Sequence, residues 1–346
     1  MSFAARSRIA TTSPPRGEAH LDFLRRHLPF ANDVPGGRWL TILMNRIDPA
    51  LFQAAFAGWV RETRPDRPEF VAIDGKTSRR SHDRATGGAP LHMDSAFATT
   101  SRLVLGQEAV AGKSNELTAI PLLLARLADG GGPRGALVSI DAIATNGTIA
   151  EAIRQTGAGY PLAVQANQPT LRKDIEACFQ DALRRGGGVE TFTEHDKGHG
   201  RIEHRDVDVI RDTSWLSGDR RFPGELQLPG AATIVRVRTR IQRGQMLHTE
   251  TRYYISSARL NAERAAAAVR GHWAIESRLH WVLNVTFNEH QSRLRKGFSA
   301  RNMAVVRHFA LNLMRSATDK RSIKLRRKLA AWSQDYLSML FTGQGQ

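Results

Sequence analysis

The sequence of 346 residues contains a single cysteine, Cys178. One cysteine cannot form an internal disulfide or a cysteine-rich zinc site. Cys178 lies in a helical pattern, which favours a small buried hydrophobe over a catalytic nucleophile. No apolar run reaches the roughly 18 residues needed to span a bilayer, and the N-terminus lacks the apolar segment of a secretory signal. We therefore expect a cytoplasmic protein without a membrane partner.

Acidic residues are also scarce relative to basic ones. The chain has 33 Asp and Glu against 50 Lys and Arg, which gives a net charge of +17. A protein with this excess usually binds a polyanion, either a nucleic acid or an anionic membrane surface. If the partner is a nucleic acid, binding should weaken steeply with salt because condensed counterions are released from the phosphates.

Hydrophobic periodicity predicts an α/β fold with helical ends. Alternating apolar residues between 69 and 110 indicate three strands of an antiparallel meander, and the next segments alternate between strand and helix. We predict a helical N-terminal region at residues 1–66, of which residues 1–20 are disordered, and the first part of an α/β core at residues 67–186. A β-rich insertion follows at residues 187–257. The helical remainder of the core is predicted at residues 258–318, and a basic C-terminal tail at residues 319–346.

Three acidic residues stand out as candidate metal ligands. Asp74 follows the apolar strand FVAI, and Asp141 follows ALVSI. A carboxylate at the end of a buried strand is costly unless it is exposed, paired or bound to a metal, although such an Asp also often caps the next turn. Glu276 lies in a helix between His272 and His280 at a spacing of four, so the three share one face. That pattern alone fits an ordinary amphipathic helix, and a zinc site of these three residues is a further alternative.

Three carboxylates brought together suit a specific chemistry. Mg²⁺ and similar hard cations prefer oxygen ligands, and two such ions can activate an attacking hydroxyl and stabilise a leaving 3′-oxygen in phosphoryl transfer. Clustered carboxylates repel one another unless cations bind between them. A basic protein with an acidic centre therefore suits DNA as a substrate.

Several ordered motifs resemble the ISAs-type insertion-sequence transposases, also called H-repeat-associated proteins. They include VAIDGKTSRRSHD, GALVSIDA, DKGHGRIEHR and VRGHWAIESRLHWVLNVTFNE, and the resemblance covers roughly residues 20–340. It implies a DDE transposase core with a ribonuclease-H-like fold, a mixed sheet with flanking helices that a β-rich insertion interrupts before the last acid. It also implies a bacterial, nucleoid-associated enzyme that binds double-stranded DNA as a homodimer.

The resemblance assigns roles to individual residues. Asp74, Asp141 and Glu276 correspond to the triad that holds two Mg²⁺ or Mn²⁺ ions. The wider group carries a Tyr–Arg–Glu–Lys signature around its Glu, and its first, second and fourth places hold Val269, His272 and Leu283 here. Candidate DNA contacts lie after the first Asp, in the DKGHGR motif, beside Glu276 and in the tail. They are Lys76, Lys197, His199, Arg201, His272, His280, Arg321, Lys324, Arg327 and Lys328.

The chain also departs from the family pattern. The segment PGGRWLTILMNRI replaces a different N-terminal motif, so the N-terminal region is expected to be shortened. AIATN follows the second Asp where the family has AMGCQ, and Asn284 and His290 stand where relatives often carry Asp. These departures support a second hypothesis, a catalytically inactive or repurposed DNA-binding protein. In the tail, Leu325 and Leu329 at a spacing of four predict a packed face, with the cations on the other side.

Overall fold

The computed structural model describes residues 18, 20–63, 67–82, 87–110, 116–165, 167–198, 200–216 and 226–342. The predicted disorder at residues 1–17 and 19 lies outside this range. The helices are α1 (Leu21–Arg25), α2 (Gly37–Arg46), α3 (Pro49–Thr63), α4 (Glu116–Asp129), α5 (Gly147–Gln155), α6 (Pro169–Arg184), α7 (Ala262–Ile275), α8 (Trp281–Val285), α9 (Ser299–Ser316), α10 (Ile323–Trp332) and α11 (Gln334–Thr342). The strands are β1 (Phe70–Thr77), β2 (His92–Ala98), β3 (Leu103–Val110), β4 (Leu137–Ile140), β5 (Pro161–Val164), β6 (Glu190–Gly198), β7 (Arg201–Ile210), β8 (Thr233–Arg243) and β9 (Met246–Ser256). The prediction of a mixed α/β fold with helical ends is confirmed.

The strands form two sheets that meet at β4 and β5. The first has the order β3-β2-β1-β4, with β1, β2 and β3 antiparallel and β4 parallel to β1. The second has the order β5-β9-β8-β7-β6 and is antiparallel throughout. The amides of Val138 and Gly159 donate to Gly159 and Ala136 respectively, each at 2.8 Å, and so connect β4 to β5. The four strands that follow α6 therefore extend the central sheet through β9.

Side chains of β1 alternate between two apolar cores, as the period of two in a strand requires. Val71 and Ile73 pack in a core with Ile120 and Leu123 of α4. Ala72 packs on the opposite face, in a core that includes residues of α3, α7, α8 and α9. Asp74 has the same parity as Ala72, so it points to the face that α7 covers.

Two segments differ from the sequence-based expectations. β1 does not end before Asp74, because pairing with β2 continues to Thr77. The predicted packed face of the tail is wrong for Leu325, which is 41% exposed, whereas Leu329 is half-buried and Arg326 is buried. Arg326 donates to the carbonyl of Met314 and to Asp319. This rotation of α10 is favoured because the last carbonyls of α9 have no partners within their own helix, and the Arg326 guanidinium supplies them with a cationic donor.

No helix in the described part of the chain is both long and apolar enough to cross a membrane.

Asn312 covers the edge of the central sheet. Its Nδ2 donates to the carbonyl of Val104 at 2.8 Å, and its Oδ1 accepts from the Val104 amide at 2.9 Å. Val104 lies in β3, the edge strand, and both residues are buried. A buried backbone group without a partner is costly, so this one side chain satisfies a strand edge that faces α9.

We predict that Asn312→Ala lowers the free energy of unfolding by roughly 2–4 kcal/mol, because it leaves one buried donor and one buried acceptor unpaired. Val306→Ala on the exposed side of α9 is the matched control and should change it by less than about 0.5 kcal/mol. Urea denaturation of both variants provides the measurement. Equal losses for the two substitutions would contradict the role of Asn312.

Candidate active site

The register of two parallel strands places Asp74 beside Asp141. The last residue pair between β1 and β4 is Ile73 with Ile140, and the two aspartates are the next residue on each strand path. Because side chains alternate along a strand, both aspartates point to the face of the sheet that α7 covers. Backbone amides hold one oxygen of each: Asp74 Oδ1 accepts from the Gly75 amide at 2.8 Å, and Asp141 Oδ1 accepts from the Ala142 amide at 2.6 Å.

A continuous helical segment, α7 to α8, crosses these strands and contains a π-helical turn at Glu276–His280. His272 Nδ1 lies 3.1 Å from Ser139 Oγ on β4, and His280 Nδ1 lies 3.4 Å from Asp74 Oδ2. In a regular α-helix, a residue four positions later is rotated about 40° around the helix axis from the first. The wider π turn offsets that drift, so both histidines reach the sheet at either side of Glu276.

The three acids line one cavity of about 470 Å³. Asp74, Asp141 and Glu276 form part of its wall, and β9 contributes residues 250–254. Glu276 is exposed to the cavity. The guanidinium of Arg252 lies 4.9 Å from the ring centroid of Trp273, which also lines the cavity. Strand β9 of the second sheet thus contributes to the site that the core strands begin.

The electrostatics of the cavity favour a bound cation. Burial raises the pKa of Asp74 from 3.8 to about 7, against the opposing effect of the Gly75 amide, and the charges of Glu116, Asp141 and Glu276 raise it further. Burial lowers the pKa of His280 to about 4, so this imidazole is neutral at pH 7 and does not compensate Asp74. Among the residues described, its Nε2 has no hydrogen-bond partner. Three carboxylates gathered in one cavity fit an oxygen-preferring divalent cation.

The comparison with protein families decides the identity of this arrangement. A family model described as "Transposase DDE domain" matches residues 65–313. The chain belongs to the DDE transposase family. This confirms the family resemblance seen in the motifs, and with it the assignment to a family of metal-dependent DNA transposases.

Known relatives agree with the family assignment. The H repeat-associated protein YhhI of Escherichia coli K12 is 35% identical over 335 residues, which cover 95% of this chain and 86% of YhhI. The H repeat-associated protein YbfD of the same strain is 35% identical over 190 residues, or 55% of this chain and 74% of YbfD. Among solved structures, a piggyBac transposase synaptic complex with hairpin DNA is aligned with 85% of this chain and 58% of that one, at 9% identity and a TM-score of 0.39.

Lys76 of this transposase is oriented into the protein. Its Nζ lies 2.6 Å from Glu289 Oε2 and donates to Asn284 Oδ1 at 2.8 Å, and His290 Nε2 lies 3.3 Å away. Its side chain is only 10% exposed. This placement differs from the predicted phosphate contact, because the strand parity that points Asp74 at α7 also points Lys76 at the segment after α8. Two of the departures from the family pattern, Asn284 and His290, contact this amino group.

The predicted contacts His272 and His280 lie beside the three acids, against Ser139 and Asp74, and the other predicted DNA contacts are distributed over two surfaces. Lys197 and Arg201 lie at the tip of the β6–β7 hairpin, where Lys197 is exposed and Arg201 lies 3.4 Å from Glu203. His199 lies outside the described residues. On α10, Lys324 and Lys328 are exposed.

Two other predicted contacts in the tail have partners within the protein. Arg327 donates to the Thr286 carbonyl, and its guanidinium lies 5.3 Å from the ring centroid of Phe287. Arg321 lies 3.4 Å from Asp319. Arg327 therefore packs inward, which differs from the predicted free cation. The reason is the same rotation of α10 that buries Arg326.

Sequence reasoning missed a second polar cluster beside the acids. His92 and Asp94 of β2 and Glu116 at the start of α4 lie together behind Asp74. The alternate spacing of His92 and Asp94 on one strand was the available signal, since it puts both side chains on one face of the sheet. Glu116 could not be linked to them without the fold.

We predict that Asp74→Asn stabilises the metal-free protein at high pH. An acid with a raised pKa stabilises the fold while it is protonated, so the wild type loses stability as the pH rises from about 4 through 7. Asparagine cannot ionise. The variant should therefore match the wild type near pH 4 and exceed its free energy of unfolding by roughly 1–4 kcal/mol at pH 8.

Urea denaturation in EDTA across this pH range tests the prediction. Glu151→Gln removes an exposed acid of α5 and serves as the control with no pH-dependent gain. A difference between Asp74→Asn and wild type that stays constant with pH would show that ionisation of Asp74 is not the cause.

Proposed function

We propose that this transposase binds the terminal inverted repeats of its own insertion sequence, cuts the DNA there and joins the 3′-hydroxyls to target DNA. The observation that carries the proposal is the convergence of Asp74, Asp141 and Glu276 on one cavity. Each comes from a different element, so nothing but the fold brings them together. Strand order in the core and the position of the insertion support a ribonuclease-H-like fold.

In this proposal the three acids hold two divalent cations, Mg²⁺ or Mn²⁺. Such ions supply Lewis acidity that activates a hydroxyl and stabilises the leaving 3′-oxygen. The chain itself orients the ligands. The amides of Gly75 and Ala142 each hold one aspartate oxygen, and His280 lies against the other oxygen of Asp74. Fixed carboxylates need little reorganisation when the cations bind.

Substitution of each acid by its amide tests the catalytic proposal. Asp74→Asn, Asp141→Asn and Glu276→Gln should each lower the rate of Mg²⁺-dependent cleavage of DNA carrying the element's ends by roughly a thousandfold or more, because each removes a charged metal ligand. DNA affinity in EDTA should stay within about threefold of wild type, since the substitutions leave the basic surfaces intact. Glu151→Gln should retain full cleavage.

The second hypothesis has a separate signature in the same assay. Wild-type protein that binds the ends but produces no metal-dependent nick would overturn the enzymatic proposal and support a repurposed DNA-binding protein. Cleavage that survives in all three amide variants would instead overturn the assignment of the triad.

We also propose that exposed cations supply sequence-independent affinity for the DNA backbone. Lys324 and Lys328 on α10 and Lys197 at the hairpin tip are the strongest candidates, because all three are exposed. Lys76 is left out because Glu289 already neutralises it. A homodimer on DNA, which would bring two ends together, follows from family resemblance.

The salt dependence of DNA binding distinguishes the exposed lysines from the buried Lys76. The Lys324→Ala/Lys328→Ala variant should reduce the slope of log affinity against log salt by about 2, since each phosphate contact contributes about 0.9. Lys76→Met should leave the slope unchanged and instead cost about 3 kcal/mol of folding stability, because Glu289 stays buried without its closest cation. Fluorescence anisotropy and urea denaturation measure the two effects. A reduced slope for Lys76→Met would restore that residue as a phosphate contact.

A further inference from the structure

A second group of metal-ligand side chains lies on the opposite face of β1 from Asp74. His92 Nε2 is 3.1 Å from Glu116 Oε1 and 3.5 Å from Asp94 Oδ1, and the three atoms lie within 4.8 Å of one another. Gly75 pairs with Asp94 across β1 and β2. The parity of the strand sends Asp74 to one side of the sheet and this group to the other, so the two sites are back to back.

Asp94 indicates that the group is built to hold a ligand. It is only 1% exposed, and neither of its carboxylate oxygens has a hydrogen-bond partner in the described ranges of the chain. Burial of an ionised carboxylate costs several kcal/mol unless a cation compensates it, and the contact from His92 Nε2 to Asp94 Oδ1, at 3.5 Å, is longer than a good hydrogen bond. Asp94 is directed at the two other donors, so the cation would lie between the three.

The backbone leaves space at this point. A Cβ on Gly75 would lie 2.2 Å from His92 Nε2, 2.5 Å from Glu116 Oε1 and 2.8 Å from Asp94 Oδ1. The three donor atoms therefore converge above a residue that has no side chain. Any other amino acid at position 75 would occupy the space on which the donors converge.

His92 is also oriented as a ligand. Its Nδ1 lies 2.8 Å from Thr77 Oγ1, which can accept the ring proton at that nitrogen. Bound to a cation, His92 would keep its proton on Nδ1 and direct the Nε2 lone pair between the two carboxylates. Metal-bound histidines commonly use their second nitrogen in this way.

We propose that His92, Asp94 and Glu116 form a second metal site, separate from the DDE acids, that binds a transition-metal dication of the Zn²⁺ class. One imidazole nitrogen with two carboxylate oxygens suits Zn²⁺, and imidazole disfavours Mg²⁺. Bonds of about 2.1 Å in tetrahedral geometry place neighbouring ligand atoms about 3.4 Å apart, close to the 3.1 and 3.5 Å separations here.

The site has an entry path and a structural consequence. His92 and Glu116 line a cavity of about 690 Å³ that is distinct from the cavity of the three acids. The fourth coordination position is therefore open to water. The ion would join β2 to the first residue of α4 and fix the strand directly behind Asp74.

Zinc binding to tag-free, full-length protein carrying Asp74→Asn and Glu276→Gln tests the site. This background removes two acids of the other site, so the result does not depend on the proposed catalytic function. Equilibrium dialysis with elemental analysis should find one Zn²⁺ per chain that excess Mg²⁺ does not displace. Adding Asp94→Asn or His92→Gln should weaken zinc binding by roughly tenfold or more.

The matched control is a second histidine cluster on the insertion. His204 Nε2 lies 3.0 Å from Asp206 Oδ1, and its Nδ1 lies 3.1 Å from His195 Nδ1. His204→Gln in the same background should leave the bound zinc unchanged. Loss of zinc with His204→Gln and not with Asp94→Asn would overturn the proposal, as would the absence of bound zinc in the background protein.

A measurement that leaves His92, Asp94 and Glu116 unchanged covers the case in which Asp94→Asn fails to fold. Crystals of the Asp74→Asn/Glu276→Gln protein grown with zinc should show an anomalous peak at the zinc edge between His92 Nε2 and Glu116 Oε1. Full-occupancy zinc elsewhere, with no peak at this position, would contradict the site.

Discussion

The parallel pairing of β1 with β4 is the constraint on which the site depends. Its register ends at Ile73 and Ile140, and that end point alone makes Asp74 and Asp141 neighbours across adjacent strands. A shift of one residue would place one of the two aspartates on the face of α4 instead. The buried apolar residues on both sides of β1 hold the register, so the apolar cores and the acidic site are consequences of one alignment.

The third acid depends on how α7 lies on this pair of strands. His272 contacts Ser139 of β4 and His280 contacts Asp74 of β1, so the helix crosses the pair with Glu276 between the two contacts. Beyond α8, Glu289 connects Lys76 of β1 to Arg307 of α9, at 2.6 and 3.5 Å. These polar contacts fix the helix at both ends of the site.

Much of this arrangement could be predicted from the sequence. Period-two alternation and apolar runs predicted the core strands, and the family motifs predicted the three acids that line one cavity in the fold. Local patterns could not give the rotation of α10, because the carbonyls that attract Arg326 belong to α9. The inward orientation of Lys76 was missed for a related reason. Its partners, Asn284 and Glu289, lie more than two hundred residues away, and a charged side chain beside an active-site motif looks the same in sequence whether it faces DNA or a buried carboxylate.

The π turn at Glu276–His280 has a consequence for how this sequence can change over time. It holds one more residue per turn than the α-helix on either side, and so behaves like a retained single-residue insertion. Because the wide turn already absorbs that extra residue, loss of one residue there would restore a regular helix and leave the segments on either side facing as they do now. Loss of one residue elsewhere in α7 or α8 would instead rotate everything after it by about 100°, and the segment that meets Lys76 would then face away from the sheet. This five-residue turn should therefore be the part of the helical segment most tolerant of a single-residue deletion.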